Sequence, residues 1–312
     1  MNPLISVIIP SYNRENLIRE TLDSVLAQTY TNWECIIVDD RSTDGTNAIL
    51  KEYSSLDNRF VIVSKPIALK QGASVSKNLG LQMARGEYIQ FLDSDDILAD
   101  NKLEKQIACL KKENKKAISV CKTYYFKEIS DVVILEIDRK DYRGFNDPEE
   151  YFDLISEIGG YYAPESFLIS VDLINFSGHW NENLTLNDDG EFFFRIIYNS
   201  NKIVFCNDTF VRHRESMGDN LSTLNSFQKA TSLLNSWKII EILYNTKYNK
   251  LDSKYLDKKK WAVYNELKRT YPILVKQNKL FFYDQKKKDN FLYKFNRLKR
   301  RVNKRLKNIF KY

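Results

Sequence analysis

The run Leu4-Ile5-Ser6-Val7-Ile8-Ile9 is nearly unbroken apolar sequence closed by Pro10, and Trp33 to Val38 is a second such run, closed by Asp39-Asp40. Continuous apolar runs of this length suit strands covered on both faces, as in a parallel sheet. Between them, Leu17, Ile18, Leu22, Val25 and Leu26 recur at helical spacing within residues 15–28. Strand, helix and strand in this order make a βαβ unit. The alternation continues with a helix near 46–53, a strand at 60–63, a helix near 73–84 and a strand at 88–92, which predicts an α/β fold around a mostly parallel sheet flanked by helices. Ligands of such sheets bind beyond the carboxyl ends of the strands, near a topological switch point. Asn13, Asp39-Asp40 and Asp93-Ser94-Asp95-Asp96 each follow a strand end, so three polar clusters from distant sequence are expected on one rim.

The last of these clusters is the most telling. Three carboxylates close an apolar strand with no basic residue among them. Desolvating an ionised carboxylate costs several kcal/mol, so such a group calls for a cation or for solvent. Asp93 and Asp95 stand two apart and in extended backbone share a side, where both could address one hard divalent ion. The competing reading is a helix N-terminus, with Ser94, Asp95 or Asp96 capping a helix over 101–114. Taken alone, the residues leave both open.

Composition narrows the chemistry. With 312 residues, 43% of them hydrophobic, the chain can bury a full core. Cys35, Cys109, Cys121 and Cys206 show no Cys-x-x-Cys spacing, and His179 and His213 are the only histidines, which argues against zinc frameworks and imidazole-rich metal chemistry. No run approaches the roughly 20 apolar residues that span a bilayer, and residues 4–9 are too short for a signal h-region, so a cytosolic chain is expected. Twelve Lys or Arg against one Asp between 286 and 312 give that tail +11 of a net +7, leaving the preceding body at −4. Past residue 117 the alternation loosens, a helix at 186–199 and a strand at 203–206 complete the sheet region, and beyond 225 the sequence turns helical and Tyr- and Lys-rich. These shifts predict one domain over 1–222 and a helical, basic extension over 223–312.

Four segments taken together, Ser6 to Arg14, Val38 to Thr46, Gly72 to Leu81 and Ala84 to Asp96, resemble glycosyltransferase family 2, inverting sugar transferases with a GT-A fold. The match is close over residues 4–100 and looser to about 222. The resemblance implies a nucleotide-diphosphate sugar, a UDP-sugar, as donor, with Pro10, Tyr12 and Asn13 beside the base and Asp39 or Asp40 accepting a hydrogen bond from its imide N–H. It places Lys77 and Asn78 against the donor. Lys77 stands where the family usually has Arg, keeping the charge but losing the bidentate fork for phosphate. Asp93-Ser94-Asp95 becomes the Asp-x-Asp motif, with Asp95 as ligand of Mn²⁺ or Mg²⁺, Asp93 on the ribose or a metal-bound water, and Asp96 left to cap the next helix. Asp189, in a segment similar to the family's Glu-Asp pair, would be the catalytic base, Asp188 its shorter-armed neighbour and Glu191 a reserve. Residues 211–216 resemble the segment that follows the last core strand, where His213 would be a further metal ligand.

In the tail, Phe291, Phe295, Leu298, Val302, Leu306 and Ile309 recur at helical spacing among Lys and Arg, a basic amphipathic pattern suited to an anionic membrane surface. The expectation is therefore a glycosyltransferase acting on a glycan or lipid-linked acceptor, peripheral on the inner face of the plasma membrane. Nucleic acid is not expected as a partner, because the body is acidic and shows no groove-reading motif. A non-catalytic nucleotide-sugar scaffold is the alternative, disfavoured by the joint presence of Asp93, Asp95 and Asp189. A dinucleotide oxidoreductase lacks its Gly-x-Gly-x-x-Gly after the first strand.

Overall fold

The computed structural model describes residues 2–130, 139–215, 223–248, 253–291 and 294. The chain divides into two compact units, Met1–Asn225 and Ser226–Tyr312, and the boundary expected at residue 222 lies outside the described residues.

The first unit opens with β1 (Ile5–Ser11), α1 (Ile18–Leu26), β2 (Trp33–Asp39), α2 (Thr46–Leu56), β3 (Phe60–Ser64), α3 (Ala73–Met83) and β4 (Tyr88–Phe91). It continues with β5 (Ile97–Leu98), α4 (Lys102–Leu110), β6 (Ala117–Phe126), α5 (Pro148–Ile158), β7 (Ile169–Ser170), α6 (Val171–Ser177), α7 (Asp188–Asn199) and β8 (Lys202–Arg214). The main sheet runs β3-β2-β1-β4-β7, parallel except for β7. Every residue of β1 and β2 is buried, as their unbroken apolar sequence requires of strands covered on both faces. The chain leaves β1 on one side for β2 and β3, then returns to lay β4 on the other. That reversal makes the switch point between β1 and β4, where Asn13 and the Asp93 cluster emerge. A Cβ on Gly80 would lie 2.5 Å from the Ile8 side chain, so α3 rests on β1 at a distance that only glycine permits.

A second sheet, β5-β8-β6, changes two expectations. The strand expected at 203–206 continues to Arg214, because its pairing with β6 steps from Cys121↔Cys206 to Lys122↔Phe210 and then resumes to Phe126↔Arg214. His213 therefore lies within the last strand and not after it. The short β5 also intervenes between the carboxylate cluster and α4, whose N-cap position is held by Asn101, so Asp96 caps no helix. Antiparallel pairing of Ile97 with Arg212 and Leu98 with Val211 instead brings Asp96 alongside His213.

The second unit holds α8 (Phe227–Tyr248), α9 (Lys254–Thr270) and α10 (Pro272–Gln277), followed by helical residues at 283–291. Ser253 caps α9 by accepting the Leu256 N–H at 3.3 Å, and Pro272 opens α10, where a missing N–H is harmless. Tyr244, Trp237 and Tyr255 form its aromatic interior, with Lys260 and Glu241 paired at 2.5 Å. No helix among the described residues is long and apolar enough to cross a membrane. Most of the basic amphipathic stretch over 286–312 lies outside the described residues. Lys286 to Phe291 and Lys294 are helical, and Phe291 is exposed.

Candidate functional site

The loops after β1 and β2 are stitched together. Asn13 adopts the left-handed region (φ 51°), its N–H donates to Ser42 Oγ at 2.9 Å, and its Oδ1 accepts the Thr43 N–H at 2.8 Å. Pro10 is buried in β1 opposite Val38, while Tyr12 projects into solvent at 48% exposure. The Asp39-Asp40 pair separates into two roles. Asp40 lies 2.6 Å from the buried Lys65 ammonium through Oδ1 and accepts the Gly72 N–H at 2.8 Å through Oδ2, so both oxygens serve to tie the β3–α3 loop to β2. Asp39 is the freer of the two for base contact. Asp39 accepts the Ser42 N–H at 3.1 Å and the Asn47 side-chain amide at 3.3 Å, both through Oδ2. Its Oδ1 is buried with no hydrogen-bond partner among the described residues, which in a native interior calls for a ligand or water.

Past β4, the Leu92 N–H donates to the Ile8 carbonyl at 3.0 Å, and the chain then turns through Asp93, the buried Ser94 and Asp95. Lys77, on α3 and buried, approaches Asp93 Oδ1 to 3.1 Å and lies 4.3 Å from the centre of the Trp180 ring. Burial opposes ionisation of Asp93, but the Lys77 ammonium outweighs it and holds the carboxyl below the ordinary aspartate range. Lys77 is raised in turn, against its burial, first by Asp93 and then by Asp188 and Asp189. Its ammonium is thus paired with Asp93 and orients that carboxylate. Asn78 is paired too. Its amide exchanges hydrogen bonds with the Trp180 backbone, both at 2.9 Å, and donates to Glu182 at 2.8 Å, so it anchors the 180–182 loop and has no donor left for a nucleotide.

Asp95 is the least satisfied member of the cluster. Its only ion pair among the described residues is a loose one, 3.8 Å from Arg14, and burial followed by the charge of Asp93 pushes its carboxyl up. The charge of His213 reaches both Asp93 and Asp95. Two clustered carboxylates, one of them weakly paired, suit a hard divalent ion, so Asp93 and Asp95 fit Mn²⁺ or Mg²⁺. His213 Nδ1 lies 3.1 Å from Asp96 and 3.0 Å from Glu165. Burial opposes charging the ring, yet those two hydrogen bonds raise it well above the ordinary histidine range.

Across the rim, α7 brings up its first turn. Asn187 precedes it in the left-handed region (φ 60°), Asp188 accepts from Ser74 Oγ at 2.6 Å, and Asp189 accepts the Gly190 N–H at 2.7 Å. Phe192 stacks on Trp180 at 4.1 Å and meets Phe91 edge-on at 5.5 Å, which fixes the helix against the end of β4. Burial, and then the charge of Asp188, push the Asp189 carboxyl up. Glu191, the reserve candidate, is buried with both oxygens on Arg195 at 2.6 and 2.9 Å, which excludes it as a base.

The match to known proteins follows this geometry. The model of the family described as Glycosyl transferase family 2 covers residues 6–162. The chain belongs to glycosyltransferase family 2. Among relatives in that family, Escherichia coli WfgD, named a UDP-Glc:α-D-GlcNAc-diphosphoundecaprenol β-1,3-glucosyltransferase, is 45% identical over 111 residues, 36% of this chain and 42% of its own. The chain spans about two fifths of the length of such curated relatives. In fold it is similar to Staphylococcus aureus TarS 1-349, solved with UDP-GlcNAc (TM-score 0.59, 20% identity, 86% of this chain and 72% of that one). It also resembles the mannosyltransferase PcManGT of Pyrobaculum calidifontis, solved with GDP-Man and Mn²⁺ (TM-score 0.53, 17% identity, 86% and 76%). These likenesses establish the GT-A fold of this family-2 chain.

Sequence reasoning missed Glu165, Trp180 and Arg14. Arg14 closes the Ser6-to-Arg14 motif and could have been singled out as a basic residue on the same rim as the carboxylates. Glu165 and Trp180 lie in stretches without periodicity and carried no signal.

Proposed function

We propose that the chain is a cation-dependent inverting glycosyltransferase that takes a UDP-sugar and passes the sugar to a hydroxyl of a glycan or lipid-linked acceptor in polysaccharide synthesis. The observation that carries this reading is the reach of α3. This one helix bonds both groups: its Lys77 lies 3.1 Å from Asp93, on the donor side, and its Ser74 donates to Asp188, beside Asp189 on the acceptor side, at 2.6 Å, which supports reading these carboxylates as one site. The names of WfgD and TarS's ligand, a UDP-sugar in both cases, support the donor class, and the diphosphoundecaprenol acceptor in WfgD's name supports a lipid-linked acceptor.

In this mechanism the unpartnered Oδ1 of Asp39 accepts the imide N–H of uracil, a match of an acceptor-only group to a ring donor. Asp95 and His213 would hold the cation, and Asp93, steadied by Lys77, would lie on the donor side. A divalent cation bound there supplies charge that offsets the negative charge gathering on the departing diphosphate. Asp189 removes the proton from the acceptor hydroxyl as that oxygen attacks the anomeric carbon, and the sugar–phosphate bond breaks on the opposite face. A single displacement inverts the anomeric configuration. The Asp39 assignment is tested by calorimetry with UDP: Asp39→Asn keeps an oxygen for the Ser42 N–H but turns an amide toward the imide donor. UDP affinity is expected to fall about tenfold or more, and an unchanged affinity would remove the assignment. Tight UDP binding by the wild type without transfer to any acceptor would favour a scaffold.

The basic sequence over 286–312 is proposed to rest on an anionic membrane surface, where a lipid-linked acceptor would be presented. Each basic residue near such a surface contributes about 1 kcal/mol. Removing 286–312 is expected to abolish sedimentation with anionic liposomes; undiminished sedimentation would sink the idea.

A further inference from the structure

The imidazole of His213 is held by a layered polar assembly that the reaction itself does not need. Asp96 is 1% exposed, with Oδ1 accepting the Arg214 N–H at 2.7 Å and Oδ2 at 3.1 Å from His213 Nδ1, so its plane is set from both sides. Glu165, 0% exposed, presents Oε1 to the same nitrogen at 3.0 Å, while its Oε2 is buried without a partner among the described residues. Glu165 sits on the short turn Pro164–Ser166, and that turn is braced from beneath. Gln90 donates to the Glu165 carbonyl and Gln106 to the Ser166 carbonyl, each at 2.8 Å. The fully buried Lys102 ammonium bonds the side-chain oxygens of both glutamines. An ammonium only donates, so it fixes the amide oxygens toward itself and the amide nitrogens toward the turn. The outermost consequence of Lys102 is the position of a carboxylate on His213.

Burying two carboxylates around one ring is costly and would bring a solvated strand residue no benefit. For a metal-binding imidazole, a carboxylate on the far nitrogen fixes the tautomer, aims the ring and raises the basicity of the ligating nitrogen. We propose that Asp96 and Glu165 are positioning residues that hold His213 through Nδ1 and direct Nε2 to the cation beside Asp95, with Lys102, Gln90 and Gln106 as the brace that fixes Glu165. This rests on the donor-site reading above and assigns it a supporting layer. The ligand atoms of Asp96, Glu165 and His213 lie within 4.8 Å of one another, a spacing that could itself enclose an ion. Nδ1 at 3.1 and 3.0 Å from the two carboxylates also suits an N–H shared between them, the arrangement proposed, and the count of bound Mn²⁺ distinguishes the two.

Electron paramagnetic resonance titration of the full chain with Mn²⁺, with and without UDP, decides the matter. Glu165→Ala is expected to weaken Mn²⁺ binding in the presence of UDP about 10- to 100-fold, while affinity for UDP in EDTA stays unchanged, a split that loss of packing alone would not give. Glu165→Gln, whose amide oxygen still accepts from Nδ1–H, is expected to lose several-fold and carries the test if the alanine variant does not melt cooperatively. Wild-type Mn²⁺ affinity in either folded variant would overturn the proposal. A second Mn²⁺ per chain, lost in the variants, would also overturn it by placing an ion between the carboxylates. Absence of any UDP-linked Mn²⁺ site in the wild type would bring down the donor-site reading, and this proposal with it.

Discussion

Asp189→Asn is expected to lower kcat by about 10²- to 10⁴-fold, the usual contribution of a positioned general base, with little change in KM for the donor. The amide keeps the shape of the side chain and can still accept the Gly190 N–H, so the first turn of α7 and its stacking of Phe192 on Trp180 are preserved. Only the capacity to take a proton is removed. The pH profile gives an independent check. Burial and the Asp188 charge raise the Asp189 carboxyl above its ordinary value of 3.8, and the base works only when ionised. Activity should therefore fall on acidification at a higher pH than for an unperturbed aspartate. Asp188→Asn removes the neighbouring charge, favours ionisation of Asp189 and should move that acidic limb to lower pH. Full turnover by Asp189→Asn in a transfer assay would eliminate the base assignment.

The order of elements through β4 was legible because buried parallel strands must be apolar throughout, and helices packed on them must carry an apolar stripe. The same logic placed Asn13, Asp39-Asp40 and Asp93–Asp96 on one rim, since each follows a strand end at the switch point. Pattern fails where the deciding partner comes from distant sequence. Asp39 and Asp40 are alike in sequence, and only Lys65 and the Gly72 N–H, delivered by the next loop, distinguish the saturated carboxylate from the one with an open oxygen. Asp96 resembled a helix cap because an acidic turn before a helical period looks the same whether or not a two-residue strand stands between them. The polar residues Asn207, Asp208 and Thr209 ended the apolar run at Cys206, yet they mark a step in register after which β8 resumes and carries His213. Glu165 lies where no period exists at all, and its position depends on Gln90, Gln106 and Lys102 from two other elements.

Asp95→Asn is expected to reduce transfer at least about 100-fold, the equivalent of ~3 kcal/mol of lost charge stabilisation. Of the three clustered carboxylates, Asp93 pairs with Lys77, and Asp96 bonds the Arg214 N–H and His213 although burial and Glu165 push its carboxyl well up, whereas among the described residues Asp95 is paired only with Arg14, at 3.8 Å. Burial and the negative charge of Asp93 both disfavour its ionised form, a penalty that a divalent cation would reverse. The asparagine variant relieves the penalty and so should be no less stable than the wild type, which separates loss of function from loss of fold. EDTA should reduce wild-type transfer to the level of the variant and leave the variant itself unaffected. Stability and catalysis would then move independently under one substitution, as expected of a carboxylate kept for a ligand rather than for the fold. Wild-type transfer by Asp95→Asn, or full wild-type activity in EDTA, would refute the cation's place at Asp95.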